Sequence, residues 1–158
     1  RPVETWQLPL HGKRRENPFC AMMAVKRRTC AAWLQKQEKL AQSASESPCT
    51  MTCAYGLCET AVPVKLGEQT IGFLQTGQVM RQKPTDASFQ RAVARAEELG
   101  VDIDNAKARE AYFATPVVSQ KKLDSVSSLL GIFAEHLSMK SNQIAVQTTN
   151  AAEPNGRL

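Results

Sequence analysis

Five cysteines carry the most reactive side chains in this chain: Cys20, Cys30, Cys49, Cys53 and Cys58. Cys20 and Cys30 fall in the first turns of two expected helices. A helix N-terminus favours a thiolate, and Lys26, Arg27 and Arg28 precede Cys30 closely. Cys53 and Cys58 flank the Tyr55-Gly56 break, with Cys49 just upstream. Such a set can ligate zinc or an iron–sulfur cluster, or sense an oxidant. The spacings Cys-x9-Cys and Cys-x4-Cys do not match the usual zinc patterns, and the competing reading is five small buried apolar residues. The expectation is that Cys20, Cys30 and Cys53 lie near one another as thiolates, with metal ligation by these three as the alternative role. No disulfide network is expected. An odd cysteine count with no visible secretory signal fits a reduced, cytoplasmic thiol set.

A second set of candidates runs from Cys53 to Gln78. Tyr55, Glu59, Thr60, Gln75, Thr76 and Gln78 are interspersed among apolar residues, with Gly56, Gly72 and Gly77 between them. A few polar groups on an apolar, glycine-containing surface suit a small polar ligand. The same pattern also describes an ordinary sheet with one wet and one dry face. Catalysis has less to stand on. His11 and His136 are the two histidines, and neither sits in a catalytic motif. No Gly-x-Ser-x-Gly, phosphate-binding loop or His-Glu-x-x-His occurs, so the chain is read as a non-enzyme.

These residues need a scaffold, and 158 residues are enough for one ordinary domain. Hydrophobic residues at 42% and charged residues at 22% exclude wholesale disorder. No apolar run approaches a membrane span. The net charge of +5 comes from the first fifty residues, which carry 9 basic and 4 acidic side chains, concentrated in Lys13-Arg14-Arg15 and Lys26-Arg27-Arg28. Without a nucleic-acid motif, these runs read as a solvated basic face rather than a DNA contact. The chain opens at Arg1 and closes on the polar stretch Asn142–Leu158. It is read as one excised domain, 1–138, followed by a helix end and linker over 139–158.

Periodicity supplies the elements. Trp6, Leu8 and Leu10 alternate as a short extended piece. Asn17-Pro18 starts a helix carrying Phe19, Met22 and Met23. A second helix spans about 30–45. Strands follow over 50–54, 61–66 and 70–77, the last two closing a hairpin around Gly67-Glu68. Pro63 marks an edge or a bulge. Lys83-Pro84-Thr85-Asp86 opens a helix whose apolar positions are Phe89, Ala92, Val93, Ala96 and Leu99, and Gly100 stops it. A short helix covers 104–113. A long one starts at Ser119 and carries a heptad-like seam, Leu123, Val126, Leu130, Phe133, Leu137 and Ile144. The order α, α, β, β, β, α, α, α is an α+β domain with an antiparallel sheet flanked by helices. The seam suggests a homodimer through the C-terminal helix.

Five segments, in this order and spacing, resemble the PocR sensory domain: Asn17-Pro18-Phe19-Cys20, Cys30-Ala31-Ala32-Trp33, Thr52-Cys53-Ala54-Tyr55-Gly56-Leu57, Ala61-Val62-Pro63-Val64, and Ile71-Gly72-Phe73-Leu74-Gln75-Thr76-Gly77-Gln78-Val79. The resemblance is specific over 17–80 and looser to about 138. It implies a PAS-like fold that binds a small organic molecule, such as a diol, and regulates bacterial transcription or signalling. DNA would then be contacted only by a separate domain. The positions it matches are Cys20, Cys30, Cys53, Gly56, Pro63, Gly72, Gly77 and Gln78. It also implies a helix and a strand ahead of the first cysteine, for which the 19 residues before Cys20 leave little room. Combining resemblance and residue chemistry, the expected ligand-binding set is Trp33, Tyr55, Gly56, Glu59, Gln75, Gly77 and Gln78. Trp33 and Tyr55 would be apolar walls, and Gln75 and Gln78 hydrogen-bonding groups. The alternative is a cysteine-based redox or metal sensor on the same scaffold.

Overall fold

A computed structural model describes residues 17–24, 28–43, 47–103 and 105–152. The alternating segment at Trp6–Leu10, His11, the basic run Lys13–Arg15, Lys26 and Arg27, and the end of the polar tail lie outside the described residues.

Three strands form one antiparallel sheet in the order β1-β2-β3. They are β1 (Cys49–Thr52), β2 (Cys58–Leu66) and β3 (Gln69–Val79). The β2–β3 hairpin turns at Gly67-Glu68 as expected, with Gly67 at φ 56°, a conformation glycine adopts without a Cβ penalty. Pro63 lies in the central strand. β1 pairs only as far as Ala61, however, so at Pro63 β2 has a partner on the β3 side alone. The proline therefore sits at a local edge, where its missing N–H costs nothing.

Facing pairs along the ladder share a side of the sheet. Glu59 is opposite Gly77, Ala61 opposite Gln75, and Pro63 opposite Phe73. This row faces helix α2 (Arg28–Ser43), where Ala41 packs on Ala61 and Phe73. The alternate row, with Thr60, Val62 and Val64, faces α5 (Gln120–Ala152). The sheet is thus covered on both sides.

α5 runs in the same direction as β2 and is fastened to it at intervals. Ser127 Oγ lies 3.1 Å from Thr60 Oγ1, Ser138 Oγ accepts from the Lys65 N–H at 2.9 Å, and Asn142 Oδ1 accepts from the Gly67 N–H at 2.7 Å. The spacing follows from geometry: a helix rising about 1.5 Å per residue needs roughly twice as many residues as a strand rising about 3.3 Å. The buried stripe of α5 is therefore Leu123, Ser127, Leu130, Ala134 and Ser138. This divides the expected heptad seam. Leu123 and Leu130 go to the sheet side, whereas Val126, Phe133 (55% exposed), Leu137 and Ile144 stay in solvent. The helix continues past Asn142 to Ala152, about 15 Å beyond the hairpin turn.

The largest core lies at the end of the sheet, among α1 (Pro18–Ala24), α3 (Asp86–Glu98) and α4 (Ala106–Phe113). Asn17 caps α1, its Oδ1 accepting from the N–H groups of Phe19 at 2.8 Å and Cys20 at 3.2 Å. Phe19 is then driven edge-on between Tyr55 and Tyr112, with centroids 5.7 and 5.1 Å away. α3 opens on a reciprocal Thr85–Ser88 capping box and buries Phe89, Ala92, Val93 and Ala96. It closes with bonds from Gly100 N–H to Glu97 O and from Val101 N–H to Ala96 O, with Gly100 at φ 71°. Leu99 is the C-cap residue and is largely exposed, so the buried face ends at Ala96. Asn105 caps α4. No helix among the described residues is long and apolar enough to cross a membrane.

Candidate functional site

α2 places Cys30, Trp33, Gln37 and Ala41 at spacings of three and four, a single stripe of a helix. The stripe lies over the sheet row that contains Glu59, Ala61 and Gln75. Trp33 Nε1–H donates to the Thr52 carbonyl at 3.4 Å. Gln37 is wholly buried, and its Nε2 donates to the Glu59 carbonyl at 3.0 Å and reaches the Cys49 carbonyl at 3.5 Å. Its Oε1 is buried with no hydrogen-bond partner.

Gln75 goes further. Its Nε2 and its Oε1 are both buried without a partner. A buried amide that forms no hydrogen bond costs on the order of 1–3 kcal/mol per group, and such groups are few in native proteins. Three such atoms on two glutamines, between one helix and the sheet, make a polar interior that the described residues leave unsatisfied.

Glu59 adds a carboxyl on the same sheet row. Burial pushes its pKa up to about 7, so at neutral pH it is balanced between donor and acceptor forms. Opposite it, Gly77 allows the strands to close. A Cβ at Gly77 would stand 2.5 Å from both the Cys58 carbonyl oxygen and the Glu59 Cα, and its φ of 143° already disfavours a side chain. Here the register shifts between Cys58 and Glu59, a bulge that re-aims the Glu59 side chain.

The cysteines depart from expectation in their ionisation. Cys20, Cys30 and Cys53 border the same core, and Cys30 and Cys53 are close enough to repel as charges. Yet burial pushes the Cys53 thiol up to about 11, with smaller contributions from Glu59 and Cys30. Burial, then the Glu59 charge, also raises Cys30. Desolvation therefore outweighs any helix-terminus effect, and these two residues are thiols rather than the thiolates expected from sequence. Among the described residues, no three His, Cys, Asp or Glu side chains are grouped so as to hold a metal ion. None of the five cysteines is in a disulfide.

The expected ligand-binding residues thus separate. Glu59, Gln75 and Gly77 lie on the sheet row that faces α2, whereas Trp33 sits on α2 with its indole N–H on the Thr52 carbonyl of β1. Tyr55 is buried in the terminal core, where its carbonyl accepts from the Tyr112 hydroxyl at 3.3 Å. Gly56, at φ 88°, makes the tight turn beside it. Gln78 ties down the start of α1: its Oε1 accepts from the Asn17 N–H at 3.1 Å, and its carbonyl accepts from Asn17 Nδ2 at 3.0 Å. It holds φ 59°, a strained value for a non-glycine residue that these bonds help to offset. Gln37 was not among the expected residues. Its signal is a polar residue four positions from both Trp33 and Ala41, within an apolar stripe.

Among known proteins, the family model described as the sensory domain found in PocR matches residues 3–142. No curated protein and no solved structure matches.

Proposed function

The chain belongs to the family of sensory domains found in PocR, and from that premise we propose that it binds a small, uncharged polar organic molecule between α2 and the sheet. The observation that carries this reading is Gln75, whose two amide atoms are buried and unpartnered. With Gln37 Oε1 and the Glu59 carboxyl, the site offers one NH₂ donor, two carbonyl acceptors and a group able to donate or accept. A small polyhydroxylated molecule meets all of these, because each hydroxyl both donates and accepts. Trp33 supplies an apolar wall.

Burial holds the Cys30 and Cys53 thiols above the usual cysteine range, which favours this reading over a sensor that needs a reactive thiolate. The domain is a regulatory module rather than an enzyme, within a bacterial transcription regulator or signalling protein of the cytoplasm. DNA is contacted by a separate domain. α5 is the output element: it is fastened to the sensing sheet through Ser127, Ser138 and Asn142, and its exposed Val126, Leu129, Phe133, Leu137 and Ile144 favour pairing with a second copy.

A thermal-shift series with small diols and triols, on the wild type and on Gln75→Leu, tests the reading. A concentration-dependent rise in Tm in the wild type that is absent in Gln75→Leu is expected. Equal shifts in both proteins would refute the site.

A further inference from the structure

A concavity whose lining includes none of Trp33, Gln37, Glu59 or Gln75 opens at the end of the sheet beside the large core. It is a groove of about 530 Å³, within the size range of small-molecule sites. Its lining includes the buried side chains of Cys58, Met80 and Tyr112. The remaining wall carries Arg81, Lys83 and Arg91, three of the five basic residues between positions 51 and 100. No acidic residue lines it among the described residues.

The fold fixes the backbone that carries these three exposed cations. Met80 is clamped by backbone bonds: its N–H donates to the Pro116 carbonyl and its carbonyl accepts from Val118 N–H, both at 2.8 Å. That fixes the origin of the link carrying Arg81 and Lys83. The link then enters α3 through the Thr85–Ser88 box, and Arg91 follows Ser88 by three residues on the same helix face. Asp86 pairs with Arg109 and Glu98 with Arg95, while Asp124 accepts from the Nε2 of groove-lining Gln120 at 2.6 Å. Arg81, Lys83 and Arg91 form no ion pair among the described residues. The backbone ends of α3 are not the attraction, because Thr85 and Ser88 cap each other.

We propose that this groove is a second binding site, for a small organic anion whose carboxylate or phosphate meets Arg81, Lys83 and Arg91 while its carbon body lies on Met80 and Tyr112. Arginine pairs with both oxyanions through forked, charge-assisted bonds. The proposal does not depend on the neutral-ligand site under α2, and the two can fail separately.

Amide NMR titrations with glutarate and with inorganic phosphate, at low salt, test it on the intact chain. Saturable shifts at Gly56, Ser88 and Gln120, which also line the groove, are expected. Affinity should fall at least about tenfold in Arg81→Gln/Arg91→Gln, the loss expected for a charge-assisted contact. It should be unchanged in Lys140→Gln, on the distant part of α5, and in Gln75→Leu. Saturation by glutarate but not phosphate identifies a carboxylate ligand with a carbon body. Saturation by phosphate alone identifies a phosphate ligand. No saturable shift with either, or equal losses in Lys140→Gln and the arginine variant, would overturn the proposal.

Discussion

Gln37 donates from Nε2 to the carbonyl of Glu59 at 3.0 Å while its own Oε1 stays buried and unpartnered. One half of the amide thus fixes α2 on the central strand, and the other half finds no partner among the described residues. Glu59 itself carries a carboxyl raised to about 7 on the same face.

The first expectation concerns Gln75. Replacing its buried, unpartnered amide with an apolar side chain of similar volume removes a desolvation cost. Gln75→Leu should stabilise the apo domain by about 1 kcal/mol or more, read as a higher denaturant midpoint, while abolishing the response to polyols. A destabilised variant would mean that the amide is satisfied in solution.

Glu59 sets a pH dependence whose sign is fixed. Its carboxyl titrates at about 7 when folded and near 4.5 in an unstructured chain, so between these values the unfolded chain has released a proton that the folded chain retains. Stability should therefore fall as pH rises from about 4.5 to 7, by up to about 3 kcal/mol, and then level off. Urea midpoints measured across that range should show the slope in the wild type and lose it in Glu59→Gln.

Gly77 has no room for even a methyl group. Gly77→Ala would drive a Cβ to within 2.5 Å of two backbone atoms of β2 at a φ of 143°. A loss of more than about 3 kcal/mol is expected, with β2 and β3 forced apart beside Glu59. Gly67→Ala, at a turn with open space around it, should cost only about 1 kcal/mol. Paired chemical denaturation of the two variants checks the contrast.

Along α5, opposite faces should respond differently. Phe133→Asp and Leu137→Asp, on the exposed side, should leave the fold intact and convert a dimer to a monomer in sedimentation. Ala134→Asp, on the sheet side, should unfold the domain, because it buries a charge against Val62 and Val64. A wild-type monomer at high concentration would remove the dimer from the account.

Local features of the fold were legible in the residues. The Asn17 cap, the Thr85 start, the Gly67-Glu68 turn and the Gly100 stop all depend on interactions within a few residues. The face of α5 did not have that property. Leu123, Leu130, Val126 and Phe133 fall within one broad apolar stripe, and what selects the sheet side is the small or polar set Ser127, Ala134 and Ser138, which reads as solvent-facing until β2 is known to lie beside it. Gln75 was visible as a polar residue in an expected strand, whereas Glu59 lay ahead of the expected 61–66 strand, which in fact starts at Cys58. Their meeting with Gln37 requires α2 to cross the sheet, a long-range contact that no local pattern encodes. The thiolate expectation for Cys30 and Cys53 reversed for a related reason: sequence shows the neighbouring charges and helix starts but not the burial that outweighs them.

The most direct test of the α2 site follows the side-chain NH₂ resonances of Gln37 and Gln75 during titration with a panel of small diols and triols. The account predicts that one of these compounds shifts both pairs of resonances saturably, with tighter binding at pH 6, where the Glu59 carboxyl is mostly protonated and can donate, than at pH 8. Saturable binding that leaves both glutamine side chains unperturbed, or no saturable binding by any of the panel, would contradict it.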